Sequence, residues 1–372
     1  MIVGIDGNEA NITGRVGINV YAYQLLWNLW KLQDEWKNEM SLIVYLKNNP
    51  LSDLPKETQS FKYKVIKGDA NWILSKLTPE LFFGSPHTDV FFTPSHYIPP
   101  LAPMPRVCSI MDLGYLENTG QFSKKVFWQL KWWSAISILV SKRIIAISNS
   151  TKQDIVRHYP FARKKIYVTH LGYDDKRFKS DISKEVVRRV KNKYSIVDDY
   201  ILYVGTLKPS KNIEGLIEAF AGIKTNCKLV IAGKKGWMYE TIFEKVKKLK
   251  LTSRVIFTGF VDEADKPALI KGARVFVLPS FWEGFGLDVL SAMAVGVPVV
   301  VSNVGSLPEV IGKAGVLVDP NSINSIREGI LKIFSLRSTE YNKLIKAELT
   351  QVKNFSWEKC ARETLKVLKE IK

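Results

Sequence analysis

Cysteines, low-complexity segments and long apolar runs are all scarce in this chain of 372 residues. The three cysteines, Cys108, Cys227 and Cys360, lie far apart without CxxC spacing, so we expect reduced core thiols and no disulfide. The four histidines have no HxxxH or HExxH spacing, and we therefore predict no metal site. Glycine (23) and proline (16) are too few for a fibrous or disordered chain.

Acidic residues are also outnumbered, by 54 Lys and Arg to 36 Asp and Glu, and the excess is present in both halves of the chain. An evenly spread positive charge indicates an attraction to phosphate-rich ligands or to an anionic membrane surface. No helix-turn-helix, zinc-finger or RNP pattern accompanies it, so we expect no specific nucleic-acid partner.

No apolar run reaches the roughly 20 residues that span a bilayer. The chain opens with MIVGID, a strand pattern without a basic leader or a cleavage site. We therefore expect no secretory signal and a cytoplasmic location.

Short apolar runs alternate with segments of helical period along the chain. Each run suits a strand buried on both faces. The runs lie at 2–5, 42–46, 90–92, 107–110, 144–147, 200–205, 229–233, 255–259, 275–279 and 298–302. Between them, apolar side chains share one helical stripe, as at Val20, Tyr23, Leu26, Trp27 and Trp30. This alternation predicts α/β domains with doubly wound parallel sheets.

A charged, weakly apolar stretch from Asp174 to Asp199 interrupts the alternation and indicates a domain boundary. We predict a domain at 1–173, a second at 174–355, and a C-terminal helix at 356–372 for which packing back on the first domain is one arrangement. The two Rossmann-like domains are expected to face each other across a cleft. Open parallel sheets bind ligands beyond the carboxyl ends of their strands, so we expect the chemistry there.

Two strand-to-helix turns carry pairs of glycine or lysine residues that suit a phosphate group. Gly14 and Gly17 bracket Arg15 before the first helix, where bare backbone could approach a phosphate, although a loop that only turns the chain explains them equally well. Lys208 and Lys211 follow the first strand of the second domain, where they suit either a diphosphate or a solvated surface.

The strongest local signal is the turn that contains Glu283, Gly284 and Gly286. A carboxylate at a helix N-terminus can accept hydrogen bonds from hydroxyl groups, while neighbouring glycine amides bind an anion. A capped helix start with two turn glycines is the alternative.

These turns belong to longer segments that resemble the family 4 glycosyltransferases of the GT-B fold, especially bacterial mannosyltransferase-like members. In the second domain the segments are YVGTLKPSKNIEGLIEAF, WEGFGL, SAMAVGVPVV and SNVGSLPEVIGKAGVLVDP. In the first domain, in the family's order, they are TGRVGINVYAYQLL, DVFFTPSHYIPPL, CSIMDLGYL and IIAISNSTKQDIV, and the chain closes with the similar FSWEKCARETLKVL. The resemblance covers nearly the whole chain.

The resemblance implies a retaining glycosyltransferase with a nucleotide-diphosphate sugar as donor, no required metal ion and no cofactor. Glu283 is then expected to bind hydroxyls of the donor sugar, and Lys211 to bind the diphosphate. The other implied donor contacts are Gly17, Gly205, Thr206, Lys208, Val261 through its backbone, Gly284, Phe285, Gly286, Leu287 and Ser291. No side-chain nucleophile is implied, because the donor phosphate itself is thought to serve as the base in this family.

The chain departs from the family pattern at functional positions. Ser291 stands where the family has a second glutamate, which binds the ribose, and Met111 replaces a histidine that borders the donor sugar. Ser210 replaces a residue that is commonly basic. Asp112 is a candidate catalytic residue that orients the acceptor, or else a cap for the following turn. The backbone carbonyl of Met111 could still face the anomeric carbon.

Two further features concern the acceptor and the membrane. The segment 123–143 suits either a helix packed within the first domain or an interfacial helix on an anionic membrane, because it combines Trp128, Trp132 and Trp133 with Lys124, Lys125 and Lys131. His96, in the loop TPSHYIPPL, is an open candidate for contact with the acceptor.

We therefore predict a hexosyltransferase, with mannose as one candidate sugar, that acts on a glycan or lipid-linked acceptor in surface polysaccharide synthesis, with the inner face of the membrane as a candidate location. The alternative is a catalytically silent GT-B protein that binds a partner enzyme or a glycan, since Ser291 and Met111 alter the site. A sugar-nucleotide epimerase is disfavoured because the paired catalytic residues it needs are not evident.

Overall fold

The computed structural model describes residues 1–69, 71–117 and 123–371. They form two compact units, the first made of Met1–Gly172 with Phe355–Lys372, and the second of Tyr173–Asn354. Each boundary falls one residue before the limit expected from the sequence. Residue 372, the end of the expected C-terminal helix, lies outside the described residues.

The first unit is built on a parallel sheet covered by helices. Its strands are β1 (Ile2–Asp6), β2 (Ser41–Leu46), β3 (Phe61–Val65), β4 (Val90–Thr93), β5 (Arg106–Ile110), β6 (Arg143–Ala146) and β7 (Ile166–Val168). Its first five helices are α1 (Ile18–Lys31), α2 (Thr78–Phe83), α3 (Gly114–Glu117), α4 (Lys124–Val140) and α5 (Asn149–His158).

The strand order in the first sheet is β3-β2-β1-β4-β5-β6-β7, and every pair is parallel. The strands β2 and β3 are added on one side of β1, and the strands from β4 onward are added on the other side. The strand order therefore reverses between β1 and β4. In the register, Val3 lies opposite Leu42 on one side and Val90 on the other. The five apolar runs all form strands, and the sheet gains β3 and β7 at its two edges.

The second unit repeats this architecture. Its helices are α6 (Lys184–Lys193), α7 (Ile213–Ala221), α8 (Glu240–Lys248), α9 (Lys266–Lys271), α10 (Leu287–Ala294), α11 (Leu307–Ile311), α12 (Ile323–Ser335) and α13 (Ser338–Gln351). Its strands are β8 (Tyr200–Val204), β9 (Lys228–Ala232), β10 (Val255–Gly259), β11 (Val275–Leu278), β12 (Val299–Ser302) and β13 (Val316–Val318). The charged stretch from Asp174 to Asp199, which was expected to interrupt the alternation of strands and helices, contains α6. Its Val190 is buried in the unit's interior.

The second sheet is also parallel, with the order β10-β9-β8-β11-β12-β13. Its direction of travel reverses between β8 and β11. Both sheets are therefore doubly wound, as the sequence predicts. Ligands of such sheets bind at the carboxyl ends of the strands that flank the reversal.

The last helix, α14 (Trp357–Lys369), returns to the first unit and packs on α1. The rings of Tyr21 and Trp357 lie 6.4 Å apart. Gly172 lies so close that a Cβ atom there would be 2.2 Å from the backbone nitrogen of Trp357. Arg143 on β6 donates to Glu370 at 2.9 Å, which ties the end of the chain to the sheet.

Helix α4 has one buried and one exposed face. Ser134, Ser137 and Ile138 are buried against the first unit, whereas Trp128 and Trp132 are 48% and 62% exposed. The segment is thus a helix packed within the first unit, and its contact with a membrane stays a prediction. Among the described residues, no helix has both the length and the apolar character to cross a bilayer.

Glu348 on α13 is a fully buried carboxyl group. Its Oε1 atom accepts a hydrogen bond from the backbone N–H of Val299 at 3.0 Å, and its Oε2 atom has no hydrogen-bond partner in the described part of the chain. Burial raises the pKa of this carboxyl well above its ordinary value of 4.5. The folded state therefore favours the neutral acid.

Replacing Glu348 by glutamine should stabilise the protein at neutral pH. Because the folded-state pKa is raised, the wild type loses stability as the pH rises from about 4.5 through the folded pKa, whereas an amide pays no such ionisation cost. We expect a gain of about 1 to 3 kcal/mol at pH 7 that vanishes near pH 4. Urea unfolding across this pH range measures it. The exposed Glu328→Gln is the control, and lower stability of Glu348→Gln at pH 7 contradicts the account.

Candidate functional site

The turns that follow β8 and β11 meet at the strand-order reversal of the second sheet. The two strands are neighbours, with Ile201 opposite Val275. Beyond their carboxyl ends, the backbone N–H of Phe281 donates to the carbonyl of Ser210 at 2.9 Å. This hydrogen bond joins the lysine-bearing turn to the glutamate-bearing turn.

Lys211 and Glu283 form an ion pair at this junction. Lys211 ends a single 3₁₀ turn (Pro209–Lys211), and its Nζ atom contacts Oε2 of Glu283. The two side chains retain 15% and 17% of their exposure, so they are mostly shielded from water but still accessible. The sequence predicted a role for each residue, and the structure places the two groups in direct contact.

The backbone of Glu283 is held by the segment after β12. Its carbonyl oxygen accepts hydrogen bonds from both the N–H and the hydroxyl of Ser306, each at 3.1 Å. Gly305 packs against the same carbonyl oxygen, and an added Cβ atom there would be only 2.4 Å from it. These two supporting residues were not among the candidates from the sequence, although they lie within the SNVGS segment that carries the resemblance.

Helix α10 begins immediately after the glutamate turn. Gly286 is its N-cap residue, with φ of 96°, and no side chain caps the helix. The first turn of a helix exposes backbone N–H groups and a partial positive charge. Gly286 and Leu287 lie at this N-terminus, Gly284 and Phe285 precede it in the turn, and their contact with an anion stays a prediction.

Ser291 lies one turn further along α10 and is buried. Its hydroxyl donates to the carbonyl of Leu287 at 3.0 Å. The proton of this group is thus used within the helix, and only its oxygen lone pairs remain for the ribose contact that the resemblance implies. Val261 is a buried residue, and the base contact through its backbone stays a prediction.

The turn after β8 packs on the loop after β9. The hydroxyl of Tyr203 donates to the carbonyl of Thr206 at 3.3 Å, and the N–H of Gly205 donates to Ala232 at 2.9 Å. The Nζ atom of Lys208 lies 5.0 Å from the centre of the Trp237 ring. Lys208 is therefore positioned by a cation–π contact within the same group of turns.

In the first unit, the turn after β5 contains Met111 and Asp112. The Met111 carbonyl accepts a hydrogen bond from the Thr151 hydroxyl at 3.0 Å. Oδ1 of Asp112 accepts from the N–H of Gly114 at 2.9 Å, which is the turn-capping contact that the sequence left as an alternative.

Gly17 and His96 lie on the two loops at the reversal of the first sheet. Gly17 is the N-cap residue of α1 with φ of 52°, and a Cβ atom there would meet nothing within 4 Å. Burial lowers the pKa of His96 to about 4, so its ring is neutral at pH 7. Its Nε2 atom is buried without a hydrogen-bond partner among the described residues.

Within the residues that the structure describes, no group of three His, Cys, Asp or Glu side chains is arranged to hold a metal ion. All three cysteines are free thiols.

Two doubly wound Rossmann-like sheets with turns gathered at their reversal points define a protein of the GT-B fold. Solved structures agree: sucrose-phosphate synthase from Thermosynechococcus elongatus aligns over 100% of this chain and 98% of its own, with a TM-score of 0.78 and 18% identity. Anabaena Alr3699/HepE in complex with UDP and glucose aligns over 99% of both chains, with a TM-score of 0.74 and 17% identity.

Most of the second unit and the returning helix α14 match a known family. Residues 187–370 match the family model described as Glycosyl transferases group 1. O-antigen chain mannosyltransferase B of Escherichia coli is 36% identical over 242 residues, which are 62% of this chain and 61% of that protein. The chain thus has the GT-B fold, its residues 187–370 match the group 1 glycosyltransferases, and it is similar to a bacterial mannosyltransferase. The match spans about three fifths of that relative's length.

Proposed function

We propose that this protein is a retaining hexosyltransferase that uses a nucleotide-diphosphate sugar and needs neither a metal ion nor a cofactor. Its acceptor is a glycan or a lipid-linked glycan in surface polysaccharide synthesis. The proposal places the enzyme in the cytoplasm, at the inner face of the membrane. Mannose is the first sugar to test, because the relative described above is a mannosyltransferase.

The observation that carries the proposal is the Lys211–Glu283 ion pair at the reversal point of the second sheet. The lysine ammonium suits the diphosphate, whose negative charge grows as it departs, and the N-terminus of α10 lies beside it. The Glu283 carboxylate suits the hydroxyl groups of the sugar, since it can only accept hydrogen bonds. When the donor binds, the ion pair is replaced by two contacts, one between Lys211 and the diphosphate and one between Glu283 and the sugar hydroxyls.

In the proposed step, the acceptor hydroxyl oxygen bonds to the anomeric carbon on the side from which the nucleoside diphosphate leaves. The electrons of the broken C–O bond go to the departing diphosphate. The hydroxyl proton goes to an oxygen of that diphosphate, so no side-chain nucleophile is needed and the anomeric configuration is retained.

A thermal-shift screen with UDP, GDP, ADP and dTDP sugars identifies the donor, because a ligand that binds only the native state raises the melting temperature. The donor so found is then incubated with mannose-containing acceptors, with and without EDTA. Proton NMR of the product reports the anomeric configuration. The absence of both transfer and donor hydrolysis with every sugar nucleotide overturns the enzymatic proposal.

The rival function is a catalytically silent subunit. It is favoured by the hydroxyl of Ser291, whose proton is already donated to the carbonyl of Leu287. The variant Ser291→Glu with Met111→His restores both residue types of the family pattern. If the wild type binds donors without turnover and this variant gains activity, the silent alternative is supported. Transfer activity of the wild-type protein excludes the silent subunit.

We further propose that α4 contacts an anionic membrane surface. Trp128 and Trp132 stack on its exposed face, with ring centres 6.4 Å apart, and Leu139 continues the apolar stripe. The Nζ atom of Lys131 lies 4.9 Å from the Trp128 ring, and the helix contains no acidic residue. Indole rings with neighbouring lysines and no acidic group favour the interface of a negatively charged bilayer.

The double variant Trp128→Ser, Trp132→Ser should bind vesicles at least about tenfold more weakly, because two indole rings no longer enter the interface. Co-sedimentation with phosphatidylglycerol vesicles measures the binding, and phosphatidylcholine vesicles measure the contribution of charge. Val197→Ser, at an exposed apolar site in the second unit, is the control. Equal sedimentation of the wild type and the double variant contradicts the proposal.

A further inference from the structure

The reversal point of the first sheet gathers a second set of functional side chains. Strands β1 and β4 are direct neighbours there, with Ile5 opposite Phe92. The loops beyond their carboxyl ends carry Glu9 and Tyr97 respectively. Parallel sheets bind ligands at such a point, and in the second unit the corresponding turns hold Lys211 and Glu283.

Glu9, in the loop after β1, is a half-buried acidic side chain. Its Oε2 atom accepts a hydrogen bond from the Asn19 amide at 2.5 Å. Burial raises the pKa of Glu9, and the charge of Asp6 raises it further, whereas Lys47 and the Asn19 hydrogen bond lower it. Hydrogen bonds from additional hydroxyl groups would stabilise the charged form of a carboxylate in this environment.

Aromatic rings gather at the loop after the neighbouring strand β4. The Tyr97 ring is 4.1 Å from the His96 ring and meets Trp133 of α4 edge-on at 5.5 Å. Both Tyr97 and Trp133 are half-buried, so part of each ring is accessible. Burial raises the pKa of Tyr97, a hydrogen bond with Gln129 lowers it, and the negative charge of Glu9 raises it.

This combination suits a neutral sugar. A pyranose ring has an apolar C–H face that packs on aromatic rings and a rim of hydroxyl groups that donate hydrogen bonds to carboxylates and amides. The charge of the cluster is unfavourable for an anionic ligand, since Asp6 and Glu9 outnumber Lys47. The lysine-bearing turns of the second unit have the opposite preference.

We propose that Glu9, Asn19, Tyr97 and Trp133 form the subsite that binds the terminal, uncharged sugar unit of the acceptor glycan. This inference rests on the proposed function and adds to it the residues that recognise the acceptor and the charge of the sugar that they accept. Tyr97 and Trp133 pack on the ring, while Glu9 and Asn19 bind its hydroxyl groups.

Kinetics with the acceptor varied test the subsite. We expect Trp133→Ala and Glu9→Gln each to raise the KM for a mannotriose acceptor at least about tenfold, and to leave the rate of donor hydrolysis in the absence of acceptor within about twofold. Tyr97→Phe, which keeps the ring and loses only the hydroxyl, should have a smaller effect. Phe161→Ala, an exposed aromatic of the same unit, is the control. An unchanged acceptor KM in both Trp133→Ala and Glu9→Gln overturns the subsite.

Direct binding separates this inference from the proposed function. Saturation-transfer NMR with mannotriose, glucotriose and galactotriose, in the absence of donor, should show contact with the sugar C–H protons for at least one of them, and Trp133→Ala should lose it. A trigalacturonate of the same size should not bind. If the wild type turns over no donor but still binds a neutral trisaccharide through Trp133, the subsite stands and the transferase fails. Absence of binding by every neutral sugar, together with unchanged kinetics, rejects the subsite.

Discussion

Replacing Glu283 by glutamine should reduce kcat for hexose transfer by about 100-fold or more. The amide keeps the size of the side chain but removes the negative charge that pairs with Lys211 and that, in the proposed function, accepts hydrogen bonds from the hydroxyl groups of the donor sugar. Single-turnover assays with a saturating donor measure the effect directly. The matched control is Glu218→Gln, which breaks another lysine–glutamate pair of the same unit, that of Lys245 and Glu218.

The pair should also act as a unit. Lys211→Gln alone is expected to weaken donor binding and to slow transfer, because the departing diphosphate loses its cation. In the double variant Glu283→Gln, Lys211→Gln, the loss should be clearly smaller than the product of the two single losses, since contacting residues are not additive. Full additivity would indicate that the ion pair has no part in organising the site.

The second large effect is expected from Gly305→Ala. The added Cβ atom would lie 2.4 Å from the carbonyl oxygen of Glu283 and 3.2 Å from its nitrogen, and Gly305 has a φ of 58°. The glutamate turn must therefore shift, at a cost of about 2 to 5 kcal/mol in stability. We expect kcat to fall at least tenfold as well, because Glu283 moves away from Lys211.

Gly259→Ala separates the two contributions to that stability loss. Gly259 also has a positive φ, of 70°, but an added Cβ atom there would meet nothing within 4 Å. It should therefore cost only the about 1 to 2 kcal/mol of an unfavourable backbone conformation. Thermal unfolding ranks the two variants. If Gly305→Ala is no less stable than Gly259→Ala, the close packing under Glu283 is not a constraint.

Most strands could be predicted from the sequence, because interior strands of a parallel sheet are buried on both faces and form continuous apolar runs. The three strands that were not predicted, β3, β7 and β13, all lie at sheet edges. An edge strand has one neighbour and more contact with water. The β3 sequence, FKYKV, accordingly alternates lysine with apolar residues instead of forming an apolar run.

The sequence places the candidate site residues at strand ends but does not show their arrangement. Lys211 and Glu283 each follow a strand, which the sequence shows, but their contact depends on β8 lying beside β11, and that order is set by packing across the whole sheet. The same limit applies to Glu9 and Tyr97, which no local pattern connects. For Asp112 the sequence left two roles open, and only the position of the Gly114 N–H distinguishes the capping contact.

Helix α4 carries residues of both proposed contacts, the one with a membrane surface and the one with the acceptor sugar. Trp132 and Trp133 are consecutive residues, and consecutive positions on a helix differ by about 100° around its axis. One of them faces outward and the other faces Tyr97. A helix with its side chains is about 10 to 12 Å wide. Under the two proposals, the membrane contact and the sugar contact therefore lie within about one helical width of each other, which would limit the spacer between the lipid and the recognised sugar to a few sugar units.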